Sequence, residues 1–136
     1  MPLKSKAIVL DSWSIIAYLE DEPSARNIEE IIVNAHEHKI PLLTSVVNAG
    51  EVWYIVARKT SPENADEAIR DIQRLGVDFV EADWTLTKAA ALLKSRAKMS
   101  YADCFASALA KKKQAILVTG DPEFKQVSSE VKVHWV

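Results

Sequence analysis

Four short, largely apolar runs constrain this chain more than any other feature. They are Ala7-Ile8-Val9-Leu10, Pro41-Leu42-Leu43-Thr44, Val77 to Val80 (broken by Asp78) and Ala115-Ile116-Leu117-Val118. Each is too short for a buried helix and reads as a strand, buried where the run is continuous. Longer stretches with helical spacing separate them: Ser12 to Leu19, Ser24 to about His38, Ser45 to about Lys59, Ser61-Pro62 to about Leu75, and Asp83 to about Arg96. Ser100–Ala110, rich in alanine and free of Gly and Pro, is a further helix, followed by a short one around Phe124. Val131 to Trp135 reads as an edge strand. Strands that alternate with helices imply a parallel sheet with helices on both faces. The expected class is α/β, a three-layer α/β/α sandwich around a central, mostly parallel sheet. No linker, repeat or low-complexity segment interrupts the 136 residues, so one domain over 1–136 is expected.

Composition narrows the setting. The chain is 49% hydrophobic and 26% charged, as a globular domain is. Its single cysteine, Cys104, excludes an intrachain disulfide and a multi-cysteine metal site, and suits a reducing, cytoplasmic location. No apolar run approaches a membrane span and no signal-peptide core is present, so no membrane association is expected. The net charge of −2 argues against nucleic-acid binding by the whole surface. The charge is uneven, however. Residues 86–114 hold seven bases against Asp103 alone, a net of +6, and residues 60–83 hold seven acids against Arg70 and Arg74, a net of −5. Such polarity either focuses a polyanion on one side or marks solvated helix faces.

Four carboxylates stand in unusual places. Asp103 lies in the first turn of its helix among small and apolar neighbours. There it is either the partner of Ser100 in a capping pair or a functional acid. In an open parallel sheet, ligands bind beyond the carboxyl ends of the strands. Asp11 ends the first strand and Asp121 follows the fourth, though either also suits a helix cap or a turn. Glu51 lies in the second turn of the helix after the second strand, flanked four residues away by Val47 and Ile55. An acid in such an apolar stripe is costly without a partner, which favours function over a structural ion pair. Topology alone thus brings all four acids to one rim.

Carboxylates gathered on a rim repel one another and ionise poorly. A divalent cation removes that problem, and hard oxygen donors select Mg²⁺ or Mn²⁺. The natural substrate of such a centre is a phosphodiester. Lys94, Arg96 and Lys98, shortly before Asp103, would grip the rest of a nucleic-acid backbone.

At these residues the sequence resembles PIN domains, and among them the VapC-type toxin ribonucleases of toxin–antitoxin pairs. The matching pieces are Val9-Leu10-Asp11-Ser12, Asn48-Ala49-Gly50-Glu51-Val52-Trp53-Tyr54, Tyr101-Ala102-Asp103 and Thr119-Gly120-Asp121-Pro122-Glu123-Phe124. Their order and spacing carry the likeness over nearly the whole chain. The resemblance implies a PIN-like fold with metal-binding, catalytic acids at Asp11, Glu51, Asp103 and Asp121, supported by Thr119 and Ser12. It implies a Mg²⁺- or Mn²⁺-dependent endoribonuclease that leaves a 3′-hydroxyl and a 5′-phosphate. It also implies an RNA substrate, a homodimer, and a small VapB-type antitoxin whose tail occupies the catalytic groove. Two alternatives remain: a non-catalytic PIN-like module that binds RNA or protein, and a PIN nuclease of RNA processing without an antitoxin.

Other candidates carry less. His36 and His38 lie on different faces of a helix and His134 stands alone, so they make poor joint ligands. No Gly-rich phosphate loop exists. Trp13, Trp53, Trp84 and Trp135 are assigned to core or interface rather than to base stacking.

Overall fold

The apolar runs form the strands of a single sheet. The computed structural model describes residues 3–136. In chain order the elements are β1 (Ile8–Leu10), α1 (Ser12–Leu19), α2 (Ala25–Glu37), β2 (Leu42–Ser45), α3 (Val46–Lys59), α4 (Pro62–Arg74), β3 (Val77–Val80), α5 (Trp84–Arg96) and α6 (Tyr101–Lys113). β4 (Ile116–Thr119), a 3-10 helix (Pro122–Val127) and β5 (Lys132–Trp135) follow. Strand order is β3-β2-β1-β4-β5, and all four pairings are parallel. The sheet is therefore wholly parallel, and the last strand does lie at an edge.

Alternation along the central strands divides the core in two. Val9, Leu43 and Leu117 pack with Leu86, Leu93, Phe105 and Phe124 under α5, α6 and the 3-10 helix. Ile8, Leu10, Leu42 and Val118 face the other way, against Ile15, Ile28, Ile32 and Ile72 of α1, α2 and α4. Three layers result, because every residue of β1 and β4 is buried. α3 straddles the end of the sheet, with Val47 against the first cluster and Val52 in the second.

Helix starts follow the cap residues. Ser45, Ser61, Asp83 and Ser100 each accept, through a side-chain oxygen, the backbone N–H three residues on. Gly76 turns α4 into β3 at φ +84°, and a Cβ there would strike the His36 ring. That ring lies 2.6 Å from the Leu75 carbonyl. Among the described residues no helix is long and apolar enough to cross a membrane.

Of the two places expected for the tryptophans, core and interface, the core takes one. Three tryptophans lie outside the core: Trp84 is 71% exposed at the start of α5, Trp135 44% on the edge strand and Trp53 36% on the outer side of α3. The indole N–H of Trp53 donates to Asp66 at 2.9 Å instead. Trp13 alone packs on the core.

Candidate metal and nucleic-acid site

Asp11 ends β1 and caps α1. Its Oδ1 accepts the Ser14 N–H at 2.8 Å and its Oδ2 accepts the Thr119 hydroxyl at 2.6 Å. Burial is complete and pushes its pKa up to about 7. The bonds from Thr119 and Ser14 oppose that rise, and the charge of Asp103 adds to it. Thr119 in turn accepts the Asp121 N–H at 3.0 Å, so one hydroxyl joins the first acid to the loop of the last. Asp121 Oδ1 accepts the Glu123 N–H at 2.9 Å and opens the 3-10 helix. Asp11 and Asp121 thus act as caps, at the carboxyl edge of the sheet.

Asp103 occupies the first turn of α6, where its backbone N–H donates to the Ser100 hydroxyl at 3.1 Å. Ser100, not the Asp103 carboxylate, is the cap. Burial raises the carboxyl to about 6, and the charges of Asp121, Glu51 and Glu123 push the same way, while the Ser100 hydroxyl holds it down. Glu51, one turn into α3, is half-buried; it lines a groove wall with Ile55, while Val47 packs against the core. The Tyr54 hydroxyl donates to its Oε2 at 3.3 Å, and the Glu51 charge raises the Tyr54 phenol.

One groove receives Ser12, Glu51, Lys94, Lys98, Asp103 and Asp121. Asp11 lies just beneath, within electrostatic reach of Asp103. The acids come from β1, α3, α6 and the turn after β4, all at the carboxyl edge of the sheet. Trp13 forms part of the wall and lies across Gly120, where a Cβ would meet its indole at 2.2 Å. Only glycine lets the indole lie there.

The three expected cations separate. Lys94 Nζ donates to the Met99 carbonyl at 2.6 Å and lines the groove with Lys98. Arg96 does not line it. Its guanidinium pairs with Glu130 at 2.8 Å, because a residue two after Lys94 projects from another side of the helix. Lys59, paired with Glu20 at 2.6 Å, lines the groove from α3 and was not among the expected cations.

Asn48 is a further site residue absent from the expected set. It is fully buried, its Oδ1 accepts the Ser45 hydroxyl at 2.6 Å, and its Nδ2 donates to Ser12 Oγ and the Ala102 carbonyl, each at 3.1 Å. Ser12 returns a bond to the Asn48 carbonyl at 3.3 Å. One amide ties together the starts of α1, α3 and α6, which carry three of the acids. The sequence signal was a polar residue three after a cap serine, at a helix position facing the core.

The donors are carboxylates and hydroxyls, a hard oxygen set that fits Mg²⁺ or Mn²⁺ in type. The fit extends to charge, since burial and acidic neighbours push Asp103 toward its protonated form, and a cation would relieve that. Among the described residues no three His, Cys, Asp or Glu side chains are drawn up around one point, so an ion would have to gather them or hold some through water.

Comparison with known proteins places the fold. The PIN-domain family model matches residues 8–130. A chain of the VapBC2 complex from Rickettsia felis, solved bound to a promoter DNA fragment, superimposes with a TM-score of 0.72 at 17% identity, covering 96% of this chain and 98% of that one. VapC20 of Mycobacterium tuberculosis, described as a sarcin–ricin loop cleaving toxin, gives 0.68 at 19% identity, covering 89% and 95%. DNA-bound VapBC of Salmonella typhimurium gives 0.73 at 13% identity, covering 94% and 96%. No curated protein matches the sequence significantly. With the family match running from β1 past the 3-10 helix, over a wholly parallel sheet with its acids on the carboxyl edge, this chain belongs to the PIN-domain family.

Proposed function

We propose that this protein is an endoribonuclease that uses Mg²⁺ or Mn²⁺ and serves as the toxin of a VapBC-type pair. The observation that carries the reading is the meeting of Glu51, Asp103 and Asp121 in one groove above Asp11, with Lys94 and Lys98 on its wall. VapBC complexes and a toxin that cuts the sarcin–ricin loop share the fold, which supports a ribonuclease with a VapB-type antitoxin partner; the homodimer rests on the family resemblance alone.

In this reading Asp11, Glu51, Asp103 and Asp121 hold the cation and are the catalytic set, with Ser12 and Thr119 in support. When bound, the ion supplies positive charge at the phosphate to be cleaved. The protein does the rest. Thr119 fixes the Asp11 carboxylate in place, and Asn48 fixes the backbone beside Asp103. Lys94 and Lys98 bind flanking phosphates of the strand. Burial around Asp11 and Asp103 favours their neutral forms until positive charge arrives, so the site is poised to exchange protons for a cation.

The test is Mn²⁺-dependent cleavage of labelled RNA by wild type and by Asp11→Asn, Glu51→Gln and Asp103→Asn, each checked by circular dichroism. Each folded variant should lose cleavage, since an amide replaces a carboxylate ligand poorly. A folded variant at wild-type rate removes that residue from the set. Wild type that binds RNA without cutting it would make the chain a binding module.

A further inference from the structure

The cations of residues 86–114 do not form one patch. While Lys94 and Lys98 line the groove, Arg96 shares Glu130 with Lys111, at 2.8 and 3.1 Å. Lys111 belongs to the last turn of α6, and Lys112 and Lys113 complete that turn, open to solvent. Lys6, just before β1, donates to Gln114 at 2.6 Å and so stands against the same helix end. Lys132 begins β5 and lines a shallow depression with Lys111 and Gln114. Strands start at this pole and finish at the groove, so the two lie at opposite edges of the sheet.

Six bases thus meet one acid, a local charge of +5. The chain has 17 Lys and Arg and 19 Asp and Glu, which leaves eleven bases against eighteen acids, −7, everywhere else. Cations at the end of α6 complement its dipole, and that alone would explain the three lysines. It does not explain Lys6, Arg96 and Lys132, which arrive from three other segments.

We propose that this pole is a second binding surface for the phosphate backbone of RNA, and that the substrate is a folded RNA which reaches both ends of α6. The inference rests on the ribonuclease reading of the groove. Asp103 and Lys113 are separated by about ten residues of helix, or about 15 Å along its axis. A strand that fills the groove must continue at least that far to touch the pole, so a trinucleotide held in the groove cannot use it and a stem–loop can.

The experiment compares wild type with the triple variant Lys112→Gln/Lys113→Gln/Lys132→Gln, which leaves the Arg96–Glu130–Lys111 cluster intact. Binding of a stem–loop RNA and of a trinucleotide is measured in EDTA over a salt series, and cleavage of both is followed with Mn²⁺. The variant should bind the stem–loop more weakly. Its salt slope should be shallower by about 2, at ~0.7–0.9 for each phosphate that the pole no longer neutralises. Its KM for the stem–loop should rise with kcat unchanged, and trinucleotide cleavage should match wild type. Arginine at the same three positions should restore binding.

An unchanged stem–loop slope overturns the proposal, whatever the cleavage result. Equal weakening on both RNAs overturns it too, since the effect would then lie in the groove. So does polyglutamate competing for the pole as well as RNA of equal charge, which would assign the surface to an acidic protein. If binding depends on the pole but neither RNA is cut, the nuclease reading fails while the binding surface stands.

Discussion

Asp11 caps a helix with one oxygen and holds Thr119 with the other, yet it is buried beneath three further acids. Its folded value near 7 lies above the ordinary 3.8, so the folded state binds the proton more tightly than the unfolded chain does. That contribution to stability is complete below the ordinary value and is lost as pH rises through about 7. Asp103, raised to about 6, acts in the same direction. Without metal, the melting temperature should be higher at pH 5 than at pH 8, and Asp11→Asn should flatten most of that slope; thermal melts in chelator check this, and equal slopes would contradict it. Asp103→Asn keeps the backbone N–H that Ser100 caps, leaves the Ser100 hydroxyl an amide oxygen in place of the carboxylate, and removes the repulsion. In chelator it should therefore melt at or above wild type. A loss near ~1 kcal/mol would instead return the side chain to a capping role.

Three helix starts converge through Asn48, and the consequence belongs to the elements rather than to one residue. Asn48→Ala leaves the Ala102 carbonyl and Ser12 without their amide partner in a buried place, at a cost of about 1–3 kcal/mol. Urea denaturation should show that loss. Because α1, α3 and α6 carry site acids, kcat should fall while KM for RNA stays near wild type. An unchanged kcat in the folded variant would reduce Asn48 to a structural tie. The elements themselves were nearly all legible, since buried runs such as Ile8–Leu10 and caps such as Ser45, Asp83 and Ser100 are written locally. Tertiary ties were not. Nothing near Asn48 announces that its partners stand 36 and 54 positions away. Nor does Trp84 show that its helix begins clear of the core.

At the scale of the molecule, topology did most of the work of gathering the acids. Asp11 and Asp121 can be placed from strand ends alone, and Glu51 and Asp103 from helices that leave the same edge. The side on which Arg96 stands follows from helical spacing, two residues after Lys94, but its partner Glu130, 34 residues later, does not. Adding Mn²⁺ should raise the melting temperature of wild type by mass action and that of Asp103→Asn much less. A calorimetric titration that finds equal effects on both would dissociate the ion from this groove. The strand order has a consequence in time. β1 is the central strand, and one of its two neighbours, β4, lies more than a hundred residues later in the chain. A ribosome therefore releases β1 long before its partner exists, and the bond from Thr119 to Asp11 closes only when residue 119 is free. On the proposed ribonuclease reading, the four acids are not gathered, and no RNA should be cut, until the fourth strand arrives. A chain ended at Gln114 should accordingly leave the amides of Ile8–Leu10 open to hydrogen exchange, where the full chain protects them.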